Sequence, residues 1–257
     1  MKPIEAILYP TDFSECAEKA FQHAAVLAKA FHSKLILFHA VVMYEEGVHV
    51  PSASRALEKL YESLEEKAHE SFPEPDEDVP IERVVARGVS AAEEIVGFAE
   101  ERGVDLIVMG THGRGELAQL LLGSVTDRVV RNAKSSVLTT RRDAKDVDPA
   151  RGYRNLVLAV DFSSHARKAA EWARAIAERF GSEVHFVHVV EDSVHPAYFV
   201  TGKTSIFELI PGIRERSTET TRKLAAETGF KPEEVQYRVL EGTPSAEIAE
   251  YCEKIDA

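Results

Sequence analysis

A doubly wound parallel α/β sheet, present once in full and once in part, is the fold class this 257-residue sequence predicts. Three observations lead there. Short apolar runs alternate with stretches of helical period along the whole chain. The apolar runs are nearly continuous in Val, Ile and Leu, as parallel strands covered on both faces require. The chain also repeats itself: residues 5–41 align without gaps on residues 154–190, so that Asp12-Phe13-Ser14 returns as Asp161-Phe162-Ser163, Phe31 as Phe180 and His39 as His188. Nearer the end of each unit, Gly88-Val89-Ser90 lies beside Gly242-Thr243-Pro244, and Ala92-Glu93 parallels Ala246-Glu247. Two matching blocks in the same order mark a duplication.

In the first unit Ile4 to Tyr9, Lys34 to Val42, Ile81 to Ala86, Leu106 to Met109 and Ser136 to Thr140 read as strands. Between the first two, Ala17, Ala20, Phe21, Ala24, Leu27, Ala28 and Phe31 fall at helical spacing. Ser14 precedes that run as an N-cap, with Glu15 and Glu18 placed to favour the positive helix end. Helices at about 54–71, 90–102 and 124–133 follow. In the second unit, strands near 155–160, 183–190 and 235–240 alternate with helices near 164–180, 210–228 and 244–254. Setting Ile248 on Ile95 places Ala257 opposite Val104, so the glycine loop, helix and strands after Val104 have no second copy. Residues 1–142 are thus expected to form a complete domain and 154–257 an incomplete one. The polar stretch from Arg142 to Pro149 lacks an apolar period and ends in proline, so 143–153 reads as a linker.

Composition narrows the function classes. The chain carries 31 Lys+Arg against 43 Asp+Glu, a formal charge of −12. That balance opposes broad binding to a nucleic-acid polymer or an anionic membrane. Much of the excess acid falls between Glu58 and Asp78 and reads as a solvated helix face with its loop. Arg128, Arg131, Lys134, Arg141 and Arg142 form a local basic set. The two cysteines, Cys16 and Cys252, make no CxxC pair and no zinc spacing, which suits a reducing compartment. The N-terminal run is broken too early by Pro10 and Asp12 for a signal peptide, and no stretch approaches the roughly 18 apolar residues of a membrane span. A cytoplasmic location is the expectation.

The most informative segment is Met109-Gly110-Thr111-His112-Gly113-Arg114-Gly115, followed by Gly123-Ser124-Val125-Thr126 at the start of a helix. Glycines let backbone amides approach an anion closely. The unpaired amides and dipole of a helix start favour phosphate, the hydroxyls of Ser124 and Thr126 add donors, and Arg114 offers a bidentate cation. The pattern is not a Walker A loop, since no Gly-Lys-[Ser/Thr] occurs. It is not a dinucleotide fingerprint either, since the spacing is G-x-x-G-x-G after a fourth strand. In an open parallel sheet a ligand belongs beyond the carboxyl ends of the strands, where Asp12 ends the first strand and suits a ribose diol. Asp12 has a competing reading as the cap of the following helix, with Ser14 its rival. His39 and His188, at strand ends, read as satisfied buried histidines, His112 as solvent-facing and Cys16 as a small hydrophobe on its helix.

Ile7-Leu8-Tyr9-Pro10-Thr11-Asp12-Phe13-Ser14 together with Gly110-x2-Gly113-x9-Gly123-Ser124 resembles the universal stress protein family in its ATP-binding form. The resemblance spans the first unit and the first three strand–helix pairs of the second, as in a tandem member whose second copy is cut short. It implies a five-stranded sheet of order 3-2-1-4-5, binding of ATP or AMP, often with Mg²⁺ or Mn²⁺ at the phosphates, and pairing of two chains through the last strand. It also implies a role in stress response or nucleotide-dependent signalling, with slow ATP hydrolysis at most. Carried over by position, Pro10, Thr11 and Asp12 would line the nucleotide site, and Ala40 would offer its backbone to the adenine edge. Met109 and Gly110 would flank the ribose, and Gly113, Arg114, Gly123, Ser124, Val125 and Thr126 would wrap the phosphates. The second copy keeps Asp161 and Val189 but has Ala159-Val160 in place of Pro-Thr and no glycine loop, so one nucleotide per chain is expected.

Three functions follow as alternatives. The first is a nucleotide-binding stress or signalling module acting on an unknown regulatory partner. The second is a slow Mg²⁺-dependent ATP hydrolase, and the third a nucleotide-independent interaction or chaperone-like module. No catalytic residue and no protein metal cage is identified. A homodimer or higher oligomer joined through Ser136–Thr140 is expected, because that strand lacks an internal partner.

Overall fold

The computed structural model describes residues 4–42, 55–74, 78–113, 122–191 and 205–257. They fall into two compact units, one ending at Val147 and the other beginning at Asp148.

The first unit runs β1 (Ala6–Pro10), α1 (Glu15–Phe31), β2 (Lys34–Val42), α2 (Arg55–Ser71), β3 (Ile81–Gly88), α3 (Ala91–Glu101), β4 (Leu106–Gly110), α4 (Ser124–Asn132) and β5 (Ser136–Thr140). Its five strands are all parallel, in the order β3-β2-β1-β4-β5. This is the order the family resemblance implied. The reversal between β1 and β4 opens a crevice at their carboxyl ends, the place where such sheets hold ligands.

Burial explains why these residues make these elements. Ile7, Leu8, Leu35, Leu37, Phe38, Ile107 and Val108 lie fully inside, on strands covered by helices on both faces. On α1 the inward face is built from Cys16, Ala17, Ala20, Ala24 and Ala28, whose small side chains let the helix sit close to the sheet. Ser14 caps α1, accepting the Ala17 amide at 3.3 Å, and Glu15 and Glu18 stand in the first turn. On the opposite face Leu8, Ile36, Phe38, Ile107 and Met109 pack against Ala92, Ile95 and Ala99 of α3 and Val129 of α4.

The second unit runs β6 (Asn155–Ala159), α5 (Ser164–Phe180), β7 (Glu183–Val190), α6 (Ile206–Leu209), α7 (Ile213–Glu227), β8 (Val235–Glu241) and α8 (Pro244–Ile255). Three parallel strands in the order β6-β7-β8 repeat β1-β2-β3, and among the described residues none corresponds to β4 or β5. As a result β6 is an edge strand, and Leu156 and Val157 are half-buried where their counterparts Ile7 and Leu8 are inaccessible.

Element ends differ from the sequence expectation by small amounts. β1 starts at Ala6 rather than Ile4 and includes Pro10, and β3 extends to Gly88. Ser90 stands before α3 as its N-cap residue rather than inside the helix. The helix expected at 210–228 is α7, which begins only at Ile213 because Pro211 and Gly212 precede it, and a short α6 not foreseen from the sequence lies before that break. The register of the second repeat block also needs correction. Ser90 and Thr243 both precede their helices as N-cap residues, and a Cβ on Gly88 or Gly242 would run into Glu94 or Glu247. Glu247 therefore corresponds to Glu94, not Glu93, and one residue is deleted between Gly242 and α8. The pairing of Ile248 with Ile95 fits this corrected register.

Candidate functional site

The site begins with the turn from β1 into α1. Thr11 continues the ladder, its amide donating to the Phe38 carbonyl at 2.9 Å. Phe13 then adopts a left-handed conformation with φ 61°, uncommon for a bulky residue. Its ring packs against His39 at a centroid distance of 4.7 Å and against Phe72 at 5.7 Å. His39 Nδ1 lies 2.7 Å from the Thr11 carbonyl, which can only accept, so that nitrogen carries the proton. This histidine is satisfied by the backbone. Asp12 accepts the Ser14 amide through Oδ1 at 3.1 Å, while Ser14 caps the helix. The acid therefore shapes the turn without being the cap of α1. Beneath it, the Tyr9 hydroxyl donates to the Ala17 carbonyl at 2.8 Å and stands 3.1 Å from Thr11 Oγ1. Burial pushes this phenol well above its ordinary pKa.

The second half of the site is the ground between β4 and α4. The Thr111 amide donates to the Thr140 carbonyl at 2.9 Å, and the Gly123 amide donates to the Thr111 carbonyl at 2.8 Å. Gly123 is pressed onto this bond: a Cβ there would stand 2.9 Å from the Thr111 oxygen. Gly110 is equally confined, because a Cβ would meet Cys16 Sγ at 2.8 Å and the Cys16 backbone at 3.0 Å. Cys16 is buried as a helix residue, its thiol donating to the Thr140 carbonyl at 3.2 Å. No side chain caps α4, so the amides of its first turn have no acceptor within the helix. The Thr126 hydroxyl is not a free donor. It is buried and donates to the Gly110 carbonyl at 2.8 Å, so it braces the loop.

These two halves enclose one cavity of about 560 Å³. Pro10, Thr11, Asp12, Ala40, Met109, Gly110, Gly113, Gly123, Ser124, Val125 and Thr126 all line it. Arg114, the remaining residue expected there, lies outside the described residues, as does the chain from it to Leu121. The wall also includes Phe38, His39, Ala91 and Ile95, to which the sequence reading gave no site role. For Ala91 and Ile95 the signal was available: they open the helix after the third strand, at the carboxyl end of the sheet. His112 departs from expectation. It faces inward, with Nδ1 3.0 Å from Thr111 Oγ1 and Nε2 enclosed.

Charge around the site is largely paired. Arg131 binds Asp127, Lys134 binds Glu100, Arg141 binds Asp143 and Arg142 binds Glu15, all as surface pairs. On the acidic face Glu65 is held below the ordinary carboxylate range by the Arg87 guanidinium, and Arg83 pairs with Glu74. Among the described residues no group of three or more His, Cys, Asp or Glu is placed to hold a metal ion, and no helix is long and apolar enough to cross a membrane.

Among the described residues, the second unit repeats the first half of the site only. Phe162 has φ 62° and its ring lies 4.5 Å from that of His188, whose Nδ1 is 2.7 Å from the Val160 carbonyl. Asp161 accepts the Ser163 amide at 2.9 Å, and the Ser163 hydroxyl and amide hold its carboxyl below the usual range.

Comparison with known proteins places this arrangement. The model of the universal stress protein family matches residues 3–141 and again residues 152–257. Over 153 residues the chain is 31% identical to universal stress protein MJ0577 of Methanocaldococcus jannaschii, covering 53% of this chain and 94% of that protein. Over 145 residues it is 37% identical to universal stress protein MJ0531 of the same organism, covering 54% and 84%. The crystal structure of a universal stress protein from Archaeoglobus fulgidus superposes along 100% of this chain and 85% of its own, with a TM-score of 0.68 at 22% identity, a likeness of fold.

Proposed function

The chain belongs to the universal stress protein family, and on that premise we propose that its first unit binds one adenine nucleotide, ATP or AMP, as the signal of a stress-response or signalling module. One observation carries the reading: Asp12, Gly113 and the uncapped start of α4 all line the same cavity. A carboxylate at the end of β1 suits ribose hydroxyls, and free amides at a helix start suit phosphates. The Ala40 backbone is assigned to the adenine edge, and Met109 and Gly110 to the ribose. Gly113, Gly123 and the amides of Ser124 and Val125 are assigned to the phosphates. Thr126 contributes by bracing Gly110. Arg114 keeps its phosphate role on sequence grounds alone. An accompanying Mg²⁺ or Mn²⁺ would be held chiefly by the phosphates, as such ions commonly are with nucleotides. Nucleotide occupancy then biases a surface read by a regulatory partner, and the edge strand β5 joins a second copy of the chain.

The test is mass spectrometry of nucleotide released from the purified full chain, followed by calorimetry with ATP and AMP. One adenine nucleotide per chain is expected. No released nucleotide together with no heat for either ligand overturns the reading, and two equivalent sites overturn the single-site assignment. A turnover assay separates binding from hydrolysis: ATP consumption abolished by Gly113→Ala would make the chain an enzyme.

A further inference from the structure

A buried polar pair in the second unit has no counterpart in the first. His185, on β7, occupies the place that Ile36 holds on β2, and is 6% exposed. Tyr251, on α8, occupies the place of Phe98 on α3 under the corrected register. Where the first unit packs Ile36 within an apolar cluster, the second sets His185 Nδ1 2.8 Å from the Tyr251 hydroxyl, the rings 5.7 Å apart. Around them the face is apolar, with Val187, Val189, Val157, Leu240, Ile248 and Ile255 joining β7 to α8. His185 Nε2 is enclosed and makes no hydrogen bond.

We propose that His185 is an acid-sensitive latch, and that its protonation releases α8 from the sheet of the second unit. The neighbours set the direction. From its own strand Glu183 approaches, with Oε1 3.6 Å from Nε2, too far for a hydrogen bond and half exposed to water. From β8 Arg238 opposes a second positive charge, and β6 presents only Val157 in register. From α8 comes the Tyr251 hydroxyl, which Nδ1 engages in the neutral ring as it is. The imidazolium carries two N–H donors, and while Tyr251 can accept one, the Nε2–H would face an apolar interface with no acceptor within hydrogen-bond distance. Burial, the largest influence, accordingly pushes the imidazole below its ordinary value. The closed state therefore binds its proton less readily than the open one, and closure weakens as pH falls through about 6.5, the value of a free imidazole. Besides the apolar contacts, α8 is tied to the sheet by the Asn155 side chain, which donates to the Ile255 carbonyl at 2.7 Å.

Hydrogen exchange of the full chain at pH 7.5 and pH 5.0, corrected for intrinsic rates, tests this. Protection of the α8 amides is expected to fall by up to about 30-fold at the lower pH, the limit for an imidazole that protonates only when open. Protection of α3 should change far less. His185→Ile, which installs the residue of the first unit, and His185→Gln, which stays polar and uncharged, should each abolish the difference. Unchanged or increased α8 protection at pH 5.0, as a Glu183–imidazolium pair would give, overturns the proposal. So does an acid loss that persists in both variants.

Discussion

Gly113 lies so close to Asp12 that a Cβ built on it would stand 2.6 Å from the carboxylate oxygen Oδ2. The glycine of the loop and the acid of the first strand are therefore one feature rather than two. Any side chain at 113 would push against the carboxylate from the cavity side, displacing the group assigned to the ribose. Gly113→Ala is expected to lower ATP affinity at least about 10-fold, the cost of one displaced charged hydrogen bond, while the melting temperature changes little. Calorimetry and a thermal scan on the same preparation check both halves. A full-affinity alanine variant would separate the two residues.

Asp12 itself should behave as a ligand residue and not as a helix cap. Ser14 already caps α1, so Asp12→Ala removes the bond to the Ser14 amide and leaves the cap in place. Nucleotide affinity should fall about 10- to 100-fold, and stability by no more than about 1 kcal/mol. Ser14→Ala should do the reverse, costing about 1 kcal/mol with little effect on binding. Equal stability losses in the two variants would return Asp12 to a capping role.

Thr126 was placed among the phosphate donors by its position at a helix start, and its hydroxyl instead grips the Gly110 carbonyl. Thr126→Ser keeps that bond and should bind nucleotide normally. Thr126→Val leaves the buried carbonyl without its donor, and should cost about 1–3 kcal/mol of stability along with some affinity. A valine variant that loses affinity alone, at full stability, would put the hydroxyl back on the ligand.

This case marks what the sequence could reveal. Periodicity located the strands of both sheets because each buries a continuous apolar run, and the register of residues 5–41 on 154–190 exposed the duplication. Backbone-defined positions such as Gly110, Gly113 and Gly123 were legible because only glycine meets the close approaches they make. Side-chain direction was not. Nothing in the local pattern says that His112 turns inward, or that Thr126 turns back to Gly110, 16 residues before it. The place of His185 opposite Tyr251 was hidden for the same reason, because it joins β7 to a helix 66 residues away.

Alkaline stability follows from two phenols. Burial raises both Tyr9 and Tyr153, the latter packed on Phe180, above their unfolded value near 10. Their folded pKa values exceed the unfolded ones, so their contribution is complete below pH 10 and is lost as pH rises beyond it. The melting temperature should drop steeply above about pH 10. Tyr9→Phe should soften that drop for the first unit, although it costs about 1 kcal/mol at neutral pH by removing the bond to Ala17. An unchanged alkaline slope in the variant would show that Tyr9 ionises without unfolding.

The repeated histidines offer a control within one chain. His39 and His188 each donate Nδ1 to a carbonyl at 2.7 Å and each pack on a left-handed phenylalanine, Phe13 or Phe162. Replacing either by leucine removes the same hydrogen bond and leaves a half-buried carbonyl to water, so each unit should lose a similar stability, about 1–2 kcal/mol. Their effects on nucleotide should diverge. His39 holds the turn that carries Asp12 beside Gly113, so His39→Leu should weaken ATP binding several-fold. His188 holds the same turn in a unit where no glycine-rich ground is found among the described residues, so His188→Leu should leave binding unchanged. Calorimetry on the two variants decides the matter. A loss of ATP affinity in His188→Leu equal to that in His39→Leu would mean that the second unit carries a nucleotide of its own.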